Sequence, residues 1–283
     1  MSKQTPKSQA IKRLQSLQNI GPVTAERLYS IGIRTPEQMN QSDPEEINQR
    51  LKEKEGAKVQ CDHLLEKLKA LSNPKAVEGM ARYGINPENT YGVSIPNLRK
   101  MAKEIGVDHD LAQQLWSSAV HEARILAGMI DDPKMATEEQ IERWVRDFDS
   151  WDTCDQCCMN LFEKTELACQ KAVEWSANDR EFVKRAGFVL MARLAVSDKK
   201  ADDILFESFL PIIKRDASDN RNYVKKAVNW ALRQIGKRNA HLNRKAIETA
   251  REIQQIDSRC AKWIASHALR ELTGKAVKER LRE

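Results

Sequence analysis

A tryptophan and two carboxylates stand close together in the stretch SWDTCD at residues 150–155. The stretch opens an apolar run, which predicts a helix beginning near Ser150. Trp151 and Asp155 are four residues apart, so a helix places both on one face and points the indole and the carboxylate into the same cleft. An indole face and a carboxylate both attract positive charge. The stretch therefore predicts a site at which a cation is bound or develops.

Basic and aromatic residues recur at helical spacing in two later segments, FVKRAGF at 182–188 and YVKKAVNW at 223–230. We expect these segments to complete a groove lined by four residues: Trp151, Asp155, Arg185 and Trp230. Each of the four also has a structural alternative. Either indole could belong to the core, because tryptophan is highly buried on average. Asp155 could form an ion pair with Arg185, which would not exclude a catalytic role.

Asp152 has a different expected role. On a helix it lies about 60° around the axis from Asp155, and acids favour the first turn, where the helix dipole stabilises them. We expect Asp152 to act as a dipole partner or a supporting group. The five histidines show no pattern of base and nucleophile, so none is given a role. Four further tryptophans are expected to pack in the core: Trp116, Trp144, Trp175 and Trp263.

The composition is that of a globular protein with room for one large domain and one small one, at 283 residues and 41% hydrophobic content. No apolar run approaches the roughly 18–20 residues needed to span a bilayer, and the N-terminus lacks the apolar core of a signal peptide. We expect a cytoplasmic, nucleoid-associated protein. Cys154, Cys157 and Cys158 lie inside a helical pattern with no neighbouring histidine, which favours buried thiols over a metal site or disulfides.

The charge is unevenly distributed along the chain. Residues 73–213 carry a net charge of −7 and residues 214–283 a net charge of +10, within a total of +6. A basic C-terminal quarter suits a protein that meets a polyanion along one wall of a groove. A solvated helical surface is the alternative reading of the same charges.

Residues 8–30 read as two helices joined by a tight turn. Gly21 permits the turn, and Pro22 suits a helix start, where its missing N–H costs nothing. The free backbone N–H groups of such a turn can bind one phosphate. The pattern L-x-x-I-G-P-x-T-A-x-x-L resembles the helix-hairpin-helix modules of DNA-repair proteins, which implies that Gly21 and Thr24 contact the DNA backbone. A protein-contact role is the alternative, and Asn19 stands where that family usually has a glycine.

The rest of the chain predicts helix after helix with almost no strand signal. A break is expected at Glu55–Lys58, and a domain boundary near Leu71–Pro74, which divides the chain into residues 1–72 and 73–283. The pattern V-K-[RK]-A at Val183 recurs 41 residues later at Val224. Helix pairs that recur at about this period indicate a HEAT-like solenoid. The predicted fold is therefore all-α, a HEAT-like superhelix preceded by a small helix-hairpin-helix domain.

Five motifs in one order resemble the AlkD-type DNA alkylation repair enzymes over about residues 75–272. They are YGVSIPNLRKMAK from Tyr91, HEAR from His121, SWDxxD from Ser150, VKRA from Val183 and VKKAxxWxxR from Val224. The resemblance implies a DNA glycosylase of base excision repair that acts on N3- and N7-alkylated purines in duplex DNA without metal or organic cofactor. It also implies a monomer that acts on the sugar without flipping the base into a pocket.

The same resemblance implies the roles of individual residues. Asp155 would stabilise an oxocarbenium-like sugar and position water, Trp151 and Trp230 would flank it, and Arg185 would lie near the phosphate. The family often has two aromatics before the VKK run, where this chain has Asn222-Tyr223. The remaining DNA contacts are expected from seven residues: Lys184, Tyr223, Lys225, Lys226, Arg233, Lys237 and Arg238. Two other functions stay open, a non-catalytic protein that binds damaged or branched DNA and a peptide-binding scaffold.

Overall fold

The computed structural model describes residues 6–281, and within that range all regular secondary structure is helical. The chain divides into two compact units, Met1–Lys67 and Leu68–Glu283. Among the described residues, no helix combines the length and apolar character that crossing a bilayer requires.

The first unit is built from helices that each begin at a proline: α1 Pro6–Leu14, α2 Pro22–Ser30, α3 Pro36–Gln41 and the long α4 Pro44–Ala70. Proline suits this position because the first helical N–H has no partner to lose. A small apolar core that includes Leu14, Ala25 and Leu28 holds α1 and α2 together. The predicted break at Gly56 is wrong, because α4 continues through it. One glycine costs only about 1 kcal/mol in a helix interior, which the surrounding helix formers offset.

The second unit contains the helices α5 to α17 and one short 3₁₀ turn, Phe162–Lys164. Their bounds are α5 Pro74–Arg82, α6 Ile95–Ile105, α7 His109–Ser117, α8 His121–Ile130, α9 Glu138–Arg146, α10 Trp151–Asn160, α11 Ala168–Ser176, α12 Glu181–Ser197, α13 Asp203–Arg215, α14 Asn222–Ile235, α15 Ala240–Gln254, α16 Arg259–Leu272 and α17 Lys275–Arg280.

These helices pack as a repeat. Helices α8, α10, α12, α14 and α16 form one row in which each contacts the next, while α7, α11 and α15 each pack against the helix that follows them. The two V-K-[RK]-A segments begin neighbouring helices of the row, α12 and α14. The fold class predicted from the sequence, an all-α HEAT-like solenoid, is confirmed. The row matters for function because α10, α12 and α14 carry all four residues predicted to form the groove.

The large aromatic residues mostly serve the core, as expected. The rings of Trp116 and Trp144 stack with centroids 4.0 Å apart, and Trp175 is buried beside Phe162. Trp263 differs, because it is only half-buried on α16 and its ring lies 4.9 Å from the Nζ atom of Lys225. The thiols of Cys154, Cys157 and Cys158 are fully buried, as predicted.

Candidate functional site

The centre of the candidate site is an ion pair between neighbouring helices of the row. Arg185 on α12 donates from Nε to Oδ1 of Asp155 at 2.9 Å and from Nη2 to Oδ2 at 2.8 Å. Its remaining nitrogen, Nη1, donates to the carbonyl oxygen of Tyr223 on α14 at 2.6 Å. One guanidinium thus joins α10, α12 and α14. The ion pair considered from the sequence is present, in the bidentate geometry that gives the strongest carboxylate recognition.

Burial and pairing act in opposite directions on the two charges. Burial raises the pKa of the Asp155 carboxyl, and the Arg185 guanidinium opposes that rise. Burial also disfavours the charged form of Arg185, but Asp155 outweighs it and holds the arginine pKa above its ordinary value. The pair is therefore a fixed, poorly solvated charge pair, and both oxygens of Asp155 are occupied by one partner.

A pocket of about 260 Å³ lies beside this pair, lined by Tyr83, Trp151, Arg185, Tyr223 and Lys226. Three aromatic rings and two cations are what an aromatic base and a phosphate need for stacking and charge neutralisation. Two hydrogen bonds bring the Tyr83 segment to the pocket. Trp151 Nε1 donates to the carbonyl of Tyr83 at 3.1 Å, and the Tyr223 hydroxyl donates to the carbonyl of Gly84 at 3.3 Å.

Tyr83 was missed by the sequence analysis. The residue is 76% exposed and lies at the C-terminal end of α5. Gly84 follows it with φ at +77°, and a Cβ atom there would overlap the hydroxyl of Tyr223. The signal in the sequence was an aromatic residue followed by glycine after an amphipathic helix, but only the fold brings that segment to α10 and α14.

The four predicted groove residues are only partly brought together. Trp151 and Arg185 line the pocket, and Asp155 is held by Arg185. Trp230 is half-buried on α14, one turn beyond Lys226, and is not one of the pocket-lining residues. Its predicted role beside the sugar therefore stays a prediction.

Four of the residues predicted to contact DNA instead bind other residues of the solenoid. Lys184 is paired with Asp216 at 2.9 Å, and its side chain is only 12% exposed. Arg233 and Lys237 both bind Glu271 on α16. Arg238 donates to the carbonyls of Ala195 and Ala201 at 3.3 and 2.9 Å and lies over the ring of Phe206. Each of the four cations therefore has a partner within the chain, and its contact with DNA stays a prediction.

Three other predicted DNA contacts remain at the surface of the row. Lys226 is exposed and lines the pocket. The ring of Tyr223 lies 5.5 Å from that of Phe182, and Lys225 lies over Trp263. Aromatic and cationic groups thus alternate from the pocket toward α16, a composition suited to a nucleic-acid backbone and its bases.

In the first unit, Gly21 at the end of the turn between α1 and α2 and Thr24 in the first turn of α2 are both exposed. Asn19 has φ at +66°, a left-handed conformation that asparagine tolerates better than most residues. Asn19, which stands where helix-hairpin-helix modules usually have a glycine, can therefore adopt the conformation that this turn has. Gly21 has an ordinary φ of −77° and ends the turn before Pro22.

Asp152 binds a histidine on a neighbouring helix and takes no part in the ion pair of Asp155 with Arg185. Its Oδ2 atom lies 2.9 Å from Nε2 of His121, which is buried on α8. Burial opposes the charged form of His121, but the hydrogen bond that His121 donates to Asp152, together with nearby carboxylates, raises the histidine pKa. The expectation of no role for His121 misses this contact. Within residues 6–281, no group of three or more His, Cys, Asp or Glu side chains is arranged to hold a metal ion.

Comparison with known proteins places these features in a family. The model of the family described as DNA alkylation repair enzyme matches residues 64–272, and a model described as pathogenicity locus matches residues 7–70. No curated protein matches the chain. A solved structure is similar to this chain, with 21% sequence identity. It is described as a new family of proteins related to the HEAT-like repeat DNA glycosylases with affinity for branched DNA structures.

The alignment with that structure covers 78% of this chain and 95% of the other, with a TM-score of 0.64. At this identity the likeness shows a shared fold, in agreement with the row of paired helices. The family model covers most of the chain, including α10, α12 and α14. The chain therefore belongs to the DNA alkylation repair enzyme family.

Proposed function

We propose that this protein is a DNA glycosylase that releases N3- and N7-alkylated purines from duplex DNA. The observation that carries the proposal is the assembly on adjacent helices of Trp151, Asp155 and Arg185, with Arg185 reaching from the carboxylate to a pocket lined by aromatic and cationic groups. The family membership supports a role in alkylation repair.

The chemistry follows from the charge of the lesion. Alkylation at N3 or N7 makes the purine cationic, so the C1′–N bond breaks with its electron pair leaving on a neutral base. Positive charge then develops on the sugar, where the Asp155 carboxylate stabilises it. Water adds to C1′, and its proton passes to the carboxylate or to solvent. Trp151 offers a ring face to the same positive charge.

Arg185 has two parts in this mechanism. Without DNA it favours the ionised form of Asp155 against the effect of burial and orients the carboxylate through two hydrogen bonds. A backbone phosphate that enters the pocket beside Lys226 competes for the guanidinium, because arginine binds phosphate in the same bidentate manner. Partial transfer of Arg185 to the phosphate releases a carboxylate oxygen toward the sugar. Binding of the backbone and exposure of the catalytic oxygen are thereby coupled.

A base-release assay tests this proposal. Wild-type protein is expected to release 7-methylguanine or 3-methyladenine from methylated duplex DNA. Asp155→Asn should lower the single-turnover rate by at least about 100-fold and change DNA affinity by less than about threefold. Glu163→Gln is the matched control, because Glu163 forms a similar two-point pair with Arg193, largely buried and away from the pocket. Equal release by wild type and Asp155→Asn would refute the assigned role.

Binding of damaged or branched DNA without base release is the second candidate function. The specific observation in its favour is that Arg185 occupies both oxygens of Asp155, the geometry that an ion pair with only a structural role would also have. The structure similar in fold is described as having affinity for branched DNA. Salt-sensitive DNA binding with no detectable release by the wild type would favour this candidate. No salt-dependent binding would leave a peptide-binding scaffold.

A further inference from the structure

Residues 74–84, the α5 segment, consist of α5 and the two residues that follow it, and they are packed loosely. Within the part of the second unit that the structure describes, α5 is the only helix without a buried residue. Ala76 and Met80 on this helix lie over a cavity of about 360 Å³, whose other walls are mostly apolar groups such as Ile125. A helix with few buried contacts and a cavity beneath it costs little to move.

The chain on either side of the α5 segment is firmly held. The N–H of Asn73, just before α5, donates to the carbonyl of Tyr91 at 2.7 Å. The buried carboxylate of Glu122 accepts hydrogen bonds from the N–H groups of Tyr91 and the two residues after it. Just beyond the segment, the N–H of Asn86 donates to Oγ of Ser150 at 2.9 Å. The α5 segment is thus attached to the unit at two fixed points and can move between them.

Two single hydrogen bonds hold the end of this segment against the walls of the candidate pocket. Trp151 Nε1 donates to the carbonyl of Tyr83 at 3.1 Å, and the Tyr223 hydroxyl donates to the carbonyl of Gly84 at 3.3 Å. The second bond is weak, because a hydroxyl bond is ordinarily about 2.5–3.0 Å long. Arg185 donates to the carbonyl of Tyr223 at 2.6 Å, so the residue that holds the segment is itself held by the arginine of the central ion pair.

The position of the α5 segment limits access to the groups assigned to chemistry. The side chain of Asp155 is 14% exposed and that of Arg185 is 6% exposed. Tyr83 forms one wall of the pocket beside them, and the pocket volume of about 260 Å³ is below the roughly 300 Å³ at which small-molecule sites begin. A sugar with its phosphate needs a wider opening than this. Moving Tyr83 widens the pocket without separating the helices of the row.

We propose that the α5 segment is a lid, latched to α14 by the Tyr223 hydroxyl, which opens when DNA binds. The inference rests on the proposed DNA binding but not on base release. If DNA binds only molecules whose lid is open, the observed affinity is the affinity of the open form multiplied by the open fraction. Weakening the latch then tightens DNA binding, which is the opposite of the effect of losing a direct DNA contact.

Affinity for an unmodified DNA duplex, measured by fluorescence anisotropy, tests the latch. Tyr223→Phe keeps the ring and removes the hydroxyl, so we expect binding to become about fivefold tighter, the factor for one ordinary hydrogen bond. Gly84→Ala adds a Cβ atom that overlaps the Tyr223 hydroxyl, so it should also tighten binding. Gly106→Ala is the matched control, because Gly106 likewise has a positive φ, at +81°, but has open space at its Cβ position. Its affinity should equal that of the wild type, and Tyr223→Phe decides even if Gly84→Ala does not fold.

Oxidation of methionine in the wild-type protein reports the opening directly. Met80 lies under the lid, whereas Met135 is 54% exposed elsewhere on the unit and serves as the internal control. Brief treatment with hydrogen peroxide, followed by mass spectrometry, should show Met80 oxidised about threefold faster in the DNA complex, with Met135 unchanged. Slower or unchanged oxidation of Met80 in the complex, or binding by Tyr223→Phe that is no tighter than wild type, overturns the lid alone. Absence of DNA binding overturns the proposed DNA binding as well.

Discussion

Individual residues of this protein carry charges deep in the helical row, and their partners determine what those charges do. Arg185 makes three hydrogen bonds from one guanidinium, to two carboxylate oxygens and one carbonyl. Because the arginine is buried, each of these bonds stabilises the row and also fixes Asp155 in one orientation. Arg185 joins three helices and also lines the pocket, so a change at this residue should affect both the stability of the fold and binding in the pocket.

Arg185→Lys should therefore not behave as a conservative change. An ammonium group cannot reproduce the planar two-point contact with Asp155 and the bond to the Tyr223 carbonyl together. We expect a loss of about 2 kcal/mol in the free energy of unfolding, measured by urea denaturation, and weaker DNA binding. Arg193→Lys, at the similar pair with Glu163, should cost comparable stability while leaving DNA affinity unchanged. Unchanged DNA binding in Arg185→Lys would argue against a role in the pocket.

The pair of His109 and Asp131 predicts a pH dependence of stability. The hydrogen bond from His109 Nδ1 to Asp131, at 2.6 Å, raises the histidine pKa. The folded state then binds the proton more tightly than the unfolded state, so the stabilisation is complete below about pH 6.5 and is lost as the pH rises through the folded-state pKa. Urea denaturation at about pH 6 and pH 8.5 should show the decrease.

His109→Gln is expected to make that decrease smaller. A remainder should persist, because the pKa of His121 is also raised. If the variant loses as much stability as wild type over the same pH interval, the His109 pair does not contribute to it.

At the scale of helices, close approach between α11 and α12 depends on Gly187. A Cβ atom at that position would lie 2.5 Å from the Ser176 backbone nitrogen and 2.9 Å from the Ala172 carbonyl oxygen. Gly79 on α5, by contrast, has open space around it. Both are interior helical glycines, so their helix propensities are alike and only packing distinguishes them.

Alanine substitutions at these two positions should therefore have opposite effects. Gly79→Ala is expected to stabilise the protein by about 0.5–1 kcal/mol through helix propensity. Gly187→Ala should destabilise it by about 1–3 kcal/mol, because the overlap is with backbone and the helices must separate. Thermal denaturation of both variants checks the prediction, and a stabilised Gly187→Ala would show that α11 and α12 can shift freely.

At the scale of the whole molecule, the net charge of the C-terminal quarter overstates how many cations are available to bind DNA. Residues 214–283 carry a net charge of +10, yet Lys214 is paired with Glu252, and Arg233 and Lys237 with Glu271. A paired cation releases few counterions from DNA. The exposed Lys226 at the pocket is the better candidate for a phosphate contact.

The salt dependence of DNA binding tests this distinction. Lys226→Ala is expected to weaken binding and to lower the slope of log K against log salt concentration by about 1, the value for one lost phosphate contact. Lys214→Ala, which removes an equal charge from a surface ion pair, should change the slope little. Equal effects of both substitutions would mean that only the overall charge matters.

The sequence by itself raised the ion pair of Asp155 with Arg185 only as an alternative, whereas it determined the helices of the row and their repeat. These follow from local periodicity and from the recurrence of one pattern, which fixes adjacent helices in a row. It did not reveal that Lys184, Arg233, Lys237 and Arg238 bind other parts of the chain, because lysines and arginines on a helix look the same whether their partner is a phosphate or a carboxylate.

Only the tertiary structure decided which of these groups meet. It brought Tyr83 to Trp151 and Tyr223 across a long sequence separation, left Trp230 outside the pocket, and placed Asp152 against His121 under α5. The reason is physical: helix formation depends on neighbours within about four residues, whereas a pocket depends on how rows of helices pack, and that packing is set by contacts far apart in the chain.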